Sequence, residues 1–132
     1  LTAARLAPGF TGLFAAGWQY ADGMQAAALE HPATKFAVAD TGASGTNIQG
    51  MLFAEQEAGY LAGYMAGLAT HSGVIGAVLG PEIAPVLRFA NGFANGAQDA
   101  CALVAKRCVT IHKYIPSFTD GERGFRLGML LG

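Results

Sequence analysis

Charge is the scarcest ingredient of this sequence. Only 13% of the 132 residues are charged, the formal net charge is −1, and no basic run occurs. A chain without a basic patch cannot neutralise a row of phosphates or an anionic headgroup surface, so no nucleic-acid partner and no direct membrane-surface binding are expected. Cysteine is nearly absent. Cys101 and Cys108 fit no CxxC metal or redox spacing, which leaves two readings: a disulfide in an oxidising compartment, or two free thiols. The histidines are equally sparse. His31 lies beside Pro32, His71 falls in a turn and His112 in a strand, with no ligand spacing among them, so no metal and no cofactor are expected. No G-x-S-x-G elbow surrounds Ser44 and nothing positions a nucleophile, so the chain is not read as an enzyme.

Nucleotide cradles are missing too. Val38 to Gly50 reads VADTGASGTNIQG, a strand end running into a glycine-rich loop of the kind that lets backbone amides approach a phosphate. A Walker loop needs a lysine, and the stretch has none. Its glycines fall at Gly42, Gly45 and Gly50, which breaks both G-x-G-x-x-G and T-G-x-x-x-G. Long apolar runs are interrupted. Tyr60 to Gly80 approaches the length of a membrane span and carries a Gly59, Gly63, Gly67 ladder, but Thr70-His71-Ser72-Gly73 divides it. The reading is a helix, a turn and a strand of an α/β domain, with the glycines letting the helix lie close to a sheet. The first residues, LTAARLAPGF, lack the charged and apolar regions of a signal peptide.

What the sequence does have is apolar residues, 52% of the total, in an alternating order of strands and helices. Strands are expected over 11–16, 35–39, 74–79 and 109–115. Helices are expected after Asp22, as far as Pro32; from Asn47 or a neighbour through Leu68; across the FANGFANG repeat of Phe89 to Gly96; and over 121–131. The repeat puts Phe89 with Phe93 and Gly92 with Gly96 on one helical face, a packing stripe. The order β-α-β-linker-α-β-α-β-α implies parallel sheets covered by helices, with ligands held beyond the carboxyl ends of the strands.

That rule selects four loops, which contain Trp18 with Asp22, Asp40, Glu82, and Phe118 with Asp120. Every loop offers a carboxylate, two offer a large aromatic, and none offers Arg or Lys; Arg88 and Arg123 lie further into helices. Carboxylates accept hydrogen bonds from vicinal hydroxyls and an aromatic face stacks on a planar ring, so the set suits a sugar joined to a heteroaromatic base and disfavours phosphate. Capping alone would also account for Asp22 and Asp120, each placed before a helix. Trp18 could simply cover the sheet end.

KFAVAD, NIQGMLFAEQEAGYLAGYMAGLAT, GVIGAVLGPEIAPVLRFANGFANGAQDA and YIPSFTDGERG resemble successive blocks of the basic membrane protein (BMP) family, the PnrA-like receptors; GWQYADGMQAAALEHP resembles the block before them. The most specific elements are E-x-E-x-G-Y-L-A-G from Glu55 to Gly63 and I-x-P-V-x-x-F-x-x-G-F-x-x-G from Ile83 to Gly96. The resemblance implies a type I periplasmic-binding-protein fold in which two lobes, each only partly present, close over a solute. Residues 1–40 would end lobe one, 41–49 would be a hinge crossover, and 50–132 would begin lobe two. It further implies a non-enzymatic, extracytoplasmic lipoprotein that binds a nucleoside or related sugar-base compound and delivers it to an ABC transporter permease, its lipid anchor lying outside this sequence. Alternatives are a sensory module of the same fold feeding a regulator, and a nucleotide-dependent doubly wound enzyme. By motif position Phe118 resembles a base clamp and Asp22 a polar contact. Ala39, where the family has a bulkier residue, and the LGPEIAP strand end depart from the pattern and leave the ligand's identity open.

Overall fold

A computed structural model describes residue 3 and residues 7–132. Residues 1, 2 and 4–6, part of the span expected to end lobe one, lie outside the described residues. The chain divides into two compact units, Leu1–Phe53 and Ala54–Gly132.

The first unit is a three-stranded parallel sheet in the order β1-β2-β3, from β1 (Gly12–Ala15), β2 (Lys35–Ala39) and β3 (Ile48–Met51). Helix α1 (Ala21–Glu30) follows β1 after a 3-10 turn at Trp18–Tyr20. Alternation along β2 sends Phe36 and Val38 to one face, where they meet Met24, Ala27 and Ala28 of α1 and Ile48 of β3 in a single buried cluster. On the opposite face Phe14 is 63% exposed. Asp22 does not cap α1. The N-cap is Tyr20, and Asp22 sits exposed in the first turn, where the amino-terminal end of the helix dipole favours a negative charge.

β3 was not expected; a helix was read from Asn47 or a neighbour onward. Parallel partners usually need a connection of a dozen residues or more, and only residues 40–47 separate β2 from β3. The loop achieves the return by folding on itself. The Gly45 N–H donates to Ile48 O at 3.1 Å, Gly50 N–H donates to Ala43 O, and Ser44 bridges Gln49. Asn47 fastens the loop to the end of α1. Its side-chain amide lies 2.9 Å from Ala28 O, 3.0 Å from His31 O and 2.9 Å from Thr34 O, so two N–H groups serve three carbonyls. The glycine-rich stretch is thus hydrogen-bonded within the first unit.

The second unit pairs β4 (Val74–Leu79) with β5 (Val109–Tyr114) in parallel, Val74 opposite Val109 through Leu79 opposite Tyr114. Its helices are α2 (Glu55–Ala69), α3 (Ala84–Leu103) and α4 (Gly121–Leu131). The glycine ladder of α2 meets α3, not a sheet. Gly59, Gly63 and Gly67 lie against Phe89, Phe93 and Ala97, while Gly92 and Gly96 of α3 lie against Gln56 and Tyr60. The first three pairs keep a constant separation of 30 residues (59 to 89, 63 to 93, 67 to 97), so the helices run parallel and in step. A Cβ on Gly63 would stand 2.6 Å from the Phe93 carbonyl carbon, and one on Gly92 2.8 Å from that of Gln56. Backbone therefore touches backbone, and only glycine permits the approach.

Cys101 and Cys108 are joined in a disulfide, which ties the end of α3 to the start of β5. No helix among the described residues is long and apolar enough to cross a membrane.

Candidate functional site

At the carboxyl end of the first sheet, Gly17 takes a φ of 128°, a conformation that a side chain would strain, and turns the chain into the Trp18–Tyr20 segment. Trp18 is 43% exposed there. The neighbouring strand β2 ends at Ala39, and Asp40 follows it, half-buried with a φ of 60°, a left-handed conformation that aspartate tolerates better than most residues. Because β1 and β2 are adjacent, the turns carrying Trp18, Asp22 and Asp40 leave neighbouring strand ends.

In the second unit the turn after β5 holds Ser117, Phe118, Thr119 and Asp120. Asp120 is the N-cap of α4, its carboxylate accepting from the Arg123 N–H at 3.0 Å. The Ser117 and Thr119 hydroxyls pair at 2.8 Å and stiffen the same turn. Phe118 is 63% exposed, and its ring rests on Gly80 at the end of β4, where an added Cβ would lie 3.0 Å from ring atoms Cδ1 and Cζ. The lack of a side chain at position 80 is what lets an exposed aromatic lie across the end of the sheet. Glu82 follows in the β4–α3 turn, exposed. Cations are nearer than the sequence suggested: Arg123 and Arg126 line an open hollow together with Asp120 and Glu122, and Arg126 is paired with Glu122 one turn away. Each unit thus presents its own aromatic and its own acids at the carboxyl end of its own sheet. Among the described residues no group of three or more His, Cys, Asp or Glu side chains is placed to hold a metal ion.

With that geometry in place, comparison with known proteins is informative. The family described as ABC transporter substrate-binding protein PnrA-like matches residues 9–128. The chain belongs to this PnrA-like family. Solved structures share the fold. A solute-binding protein of an ABC transporter system from Aeropyrum pernix K1 is 24% identical with a TM-score of 0.73, over 85% of this chain and 33% of that one. A second, from Conexibacter woesei DSM 14684, is 23% identical with a TM-score of 0.68, over 97% and 43%. A transcriptional activator of the comK gene from Bacillus halodurans is 21% identical with a TM-score of 0.76, over 96% and 42%. The chain therefore spans less than half the length of each. No curated protein matches it. The parallel sheets with flanking helices are those of the periplasmic-binding-protein type, as the PnrA-like resemblance implied.

Sequence reasoning passed over one charged pair. Glu55, the first residue of α2, is 5% exposed, and both its oxygens are taken by Arg88 of α3: Nε donates to Oε2 at 2.6 Å and Nη2 to Oε1 at 3.1 Å. The Arg88 hydrogen bonds hold the Glu55 carboxyl below its ordinary pKa, against the opposing effect of burial. A lone glutamate and arginine 33 positions apart carry no signal in a single sequence; only the packing of α2 on α3 brings them together. On the same helix pair the Tyr60 hydroxyl donates to Asp99 at 2.9 Å, which raises the phenol's pKa.

Proposed function

We propose that the chain is the ligand-capturing part of an extracytoplasmic solute receptor, not an enzyme, and that it binds a nucleoside or related sugar-base compound and delivers it to an ABC transporter permease. Family membership supports a receptor role. The observation that carries the ligand class is the turn after β5, where Phe118 stands exposed over Gly80 beside Asp120. A flat aromatic suits a heteroaromatic base, and a neighbouring carboxylate suits ribose hydroxyls. Trp18, Asp22 and Asp40 offer the same chemistry from the first unit, and we assign them to ligand contact as well. The Cys101–Cys108 disulfide supports an oxidising, extracytoplasmic location. A lipid anchor would lie outside this sequence.

Calorimetry on the intact receptor tests the assignment. Inosine, guanosine or adenosine should bind at micromolar affinity or better, and their 5′-phosphates more weakly. Phosphates binding more tightly than nucleosides would reverse the ligand class, with Arg123 and Arg126 the first residues to suspect. Replacing Phe118 by Ala should weaken nucleoside binding about tenfold or more, since a stacked aromatic pair contributes roughly 0.5–1.5 kcal/mol beyond the area it buries.

The likeness to a transcriptional activator favours a second reading, a sensory module of the same fold that feeds a regulator. Deleting the gene separates the two: loss of nucleoside uptake marks a receptor, and unchanged uptake with altered transcription marks a sensor.

A further inference from the structure

The sequence holds three asparagines, and two of them, Asn91 and Asn95, are followed directly by glycine. Such a pair carries its own chemistry. The glycine amide nitrogen attacks Cγ of the preceding asparagine; the new C–N bond closes a succinimide ring, and the side-chain nitrogen leaves as ammonia. Water then opens the ring at either carbonyl. One product is aspartate, the other isoaspartate, in which the main chain runs on through the side-chain carbon. Glycine is the least hindered attacking residue, because it has no Cβ. Asn47 differs on both counts: it precedes the β-branched Ile48, and its amide is held by the carbonyls of Ala28, His31 and Thr34.

Helix α3 keeps both pairs from reacting. Asn91 and Asn95 are exposed and line an open hollow on the surface of α2 and α3, so water reaches both carboxamides, whereas Gly92 and Gly96 are buried. The helical ladder gives the Gly92 N–H to the Arg88 carbonyl and the Gly96 N–H to that of Gly92. A helical ψ of about −42° also holds each Cγ away from the nitrogen that must reach it. Ring closure therefore requires this turn of α3 to come undone. It stays wound while Gly92 and Gly96 are pressed against Gln56 and Tyr60, where an added Cβ would stand 2.8 Å from either carbonyl carbon. The same contacts admit no larger residue at 92 or 96, so the seam itself keeps a glycine after each asparagine.

We propose that Asn91 and Asn95 are modification sites sealed by the α2–α3 seam, at which a transient parting of the helices becomes a permanent loss of packing. Isoaspartate at either position inserts one carbon into the backbone of α3. Gly92 and Gly96 then fall out of step with Gln56 and Tyr60, and a close-packed seam cannot absorb the difference. Water is the one reactant drawn from outside the chain.

Peptide mapping of the intact protein tests the seal. After incubation at mildly alkaline pH, reduction and cleavage behind Arg88 and Lys106 release one peptide that contains both asparagines. Conversion should be roughly a hundredfold slower in the folded protein than in the urea-unfolded chain, and should rise through a urea series as the second unit opens. Gly63→Ala, which sets a methyl against the Phe93 backbone across the seam, should speed conversion in the folded protein about thirtyfold; Gly128→Ala in α4 should leave it unchanged. Refolding reads the consequence. As isoaspartate accumulates, the share of native protein that regains its helical signal on removal of urea should fall in step. The double variant Asn91→Gln, Asn95→Gln, whose longer side chains close a ring far more slowly, should refold fully after the same incubation. Conversion as fast in folded as in unfolded protein overturns the seal, as does an unchanged rate in a folded Gly63→Ala; where that variant does not fold, the urea series on the native protein decides. Refolding lost as quickly in the glutamine variant as in the native protein overturns the consequence.

Discussion

Replacing Gly63 by alanine should damage the second unit far more than its chemistry suggests. In an exposed helix the change is favourable by about 1 kcal/mol, because alanine has the higher helix propensity. At Gly63 the added methyl meets the backbone of Phe93 at 2.6 Å from its carbonyl carbon, against 3.4 Å for ordinary contact, a shortfall of 0.8 Å. A side chain could swing aside, whereas a helical carbonyl can yield only if α2 and α3 separate. Separation would loosen the contacts at Gly59, Gly67, Gly92 and Gly96 together, since all belong to one seam. Overpacking of a tight interior costs about 1–3 kcal/mol, and a backbone obstacle belongs at the upper end, leaving a net loss of about 2 kcal/mol after the propensity gain. Urea unfolding of the intact protein measures it. Gly128→Ala in α4, where an added Cβ meets nothing within 4 Å, is the control and should be neutral or stabilising by up to about 1 kcal/mol. Equal stability of Gly63→Ala and the native protein, or a loss as large in Gly128→Ala, would refute the seam argument.

Other outcomes follow from particular contacts. Reducing the Cys101–Cys108 disulfide, which closes a loop over a separation of 7 residues, should destabilise the second unit by roughly 2.4 kcal/mol on the loop-entropy relation, read as a fall in the urea midpoint with dithiothreitol. Glu55 has a depressed pKa in the folded state, so its contribution is present above the unfolded value of 4.5 and is lost as pH falls through the folded value. The stability gap between the native protein and Glu55→Gln should therefore hold at pH 7 and close below pH 4.5; a gap independent of pH would exclude the ionised carboxylate as its cause. Asn47→Ala removes the donor shared by the Ala28, His31 and Thr34 carbonyls and should cost about 1–3 kcal/mol, measured as earlier thermal unfolding of the first unit.

Most regular elements were legible because they obey local rules. β2, β4 and α4 occupy the spans their apolar patterns predicted, and α1 stops just before Pro32. β3 was not legible. IQGM has neither the β-branched content nor the alternation of a strand, and its parallel pairing rests on a loop stitched by Asn47, a relation between distant positions. Glycine spacing announced a close approach but not its partner, since Gly59, Gly63 and Gly67 would suit a sheet as well as a helix; the matching Gly92 and Gly96 lay within the FANGFANG stripe, read there only as packing. For the candidate site, the sequence could place Trp18, Asp40 and Phe118 at strand ends by the topology rule. That Gly80 makes room for the Phe118 ring depends on β4 and β5 being neighbours, which no local pattern states.

A junction made of peptide groups has no rotamers to reshuffle. Where leucines interlock, a small push is absorbed by torsions spread over many side chains; between α2 and α3, carbonyls rest on glycine Cα atoms and the response to load is abrupt. Under hydrostatic pressure or mechanical pull, these two helices should hold their spacing almost unchanged until they part as a whole, which makes them a rigid lever arm.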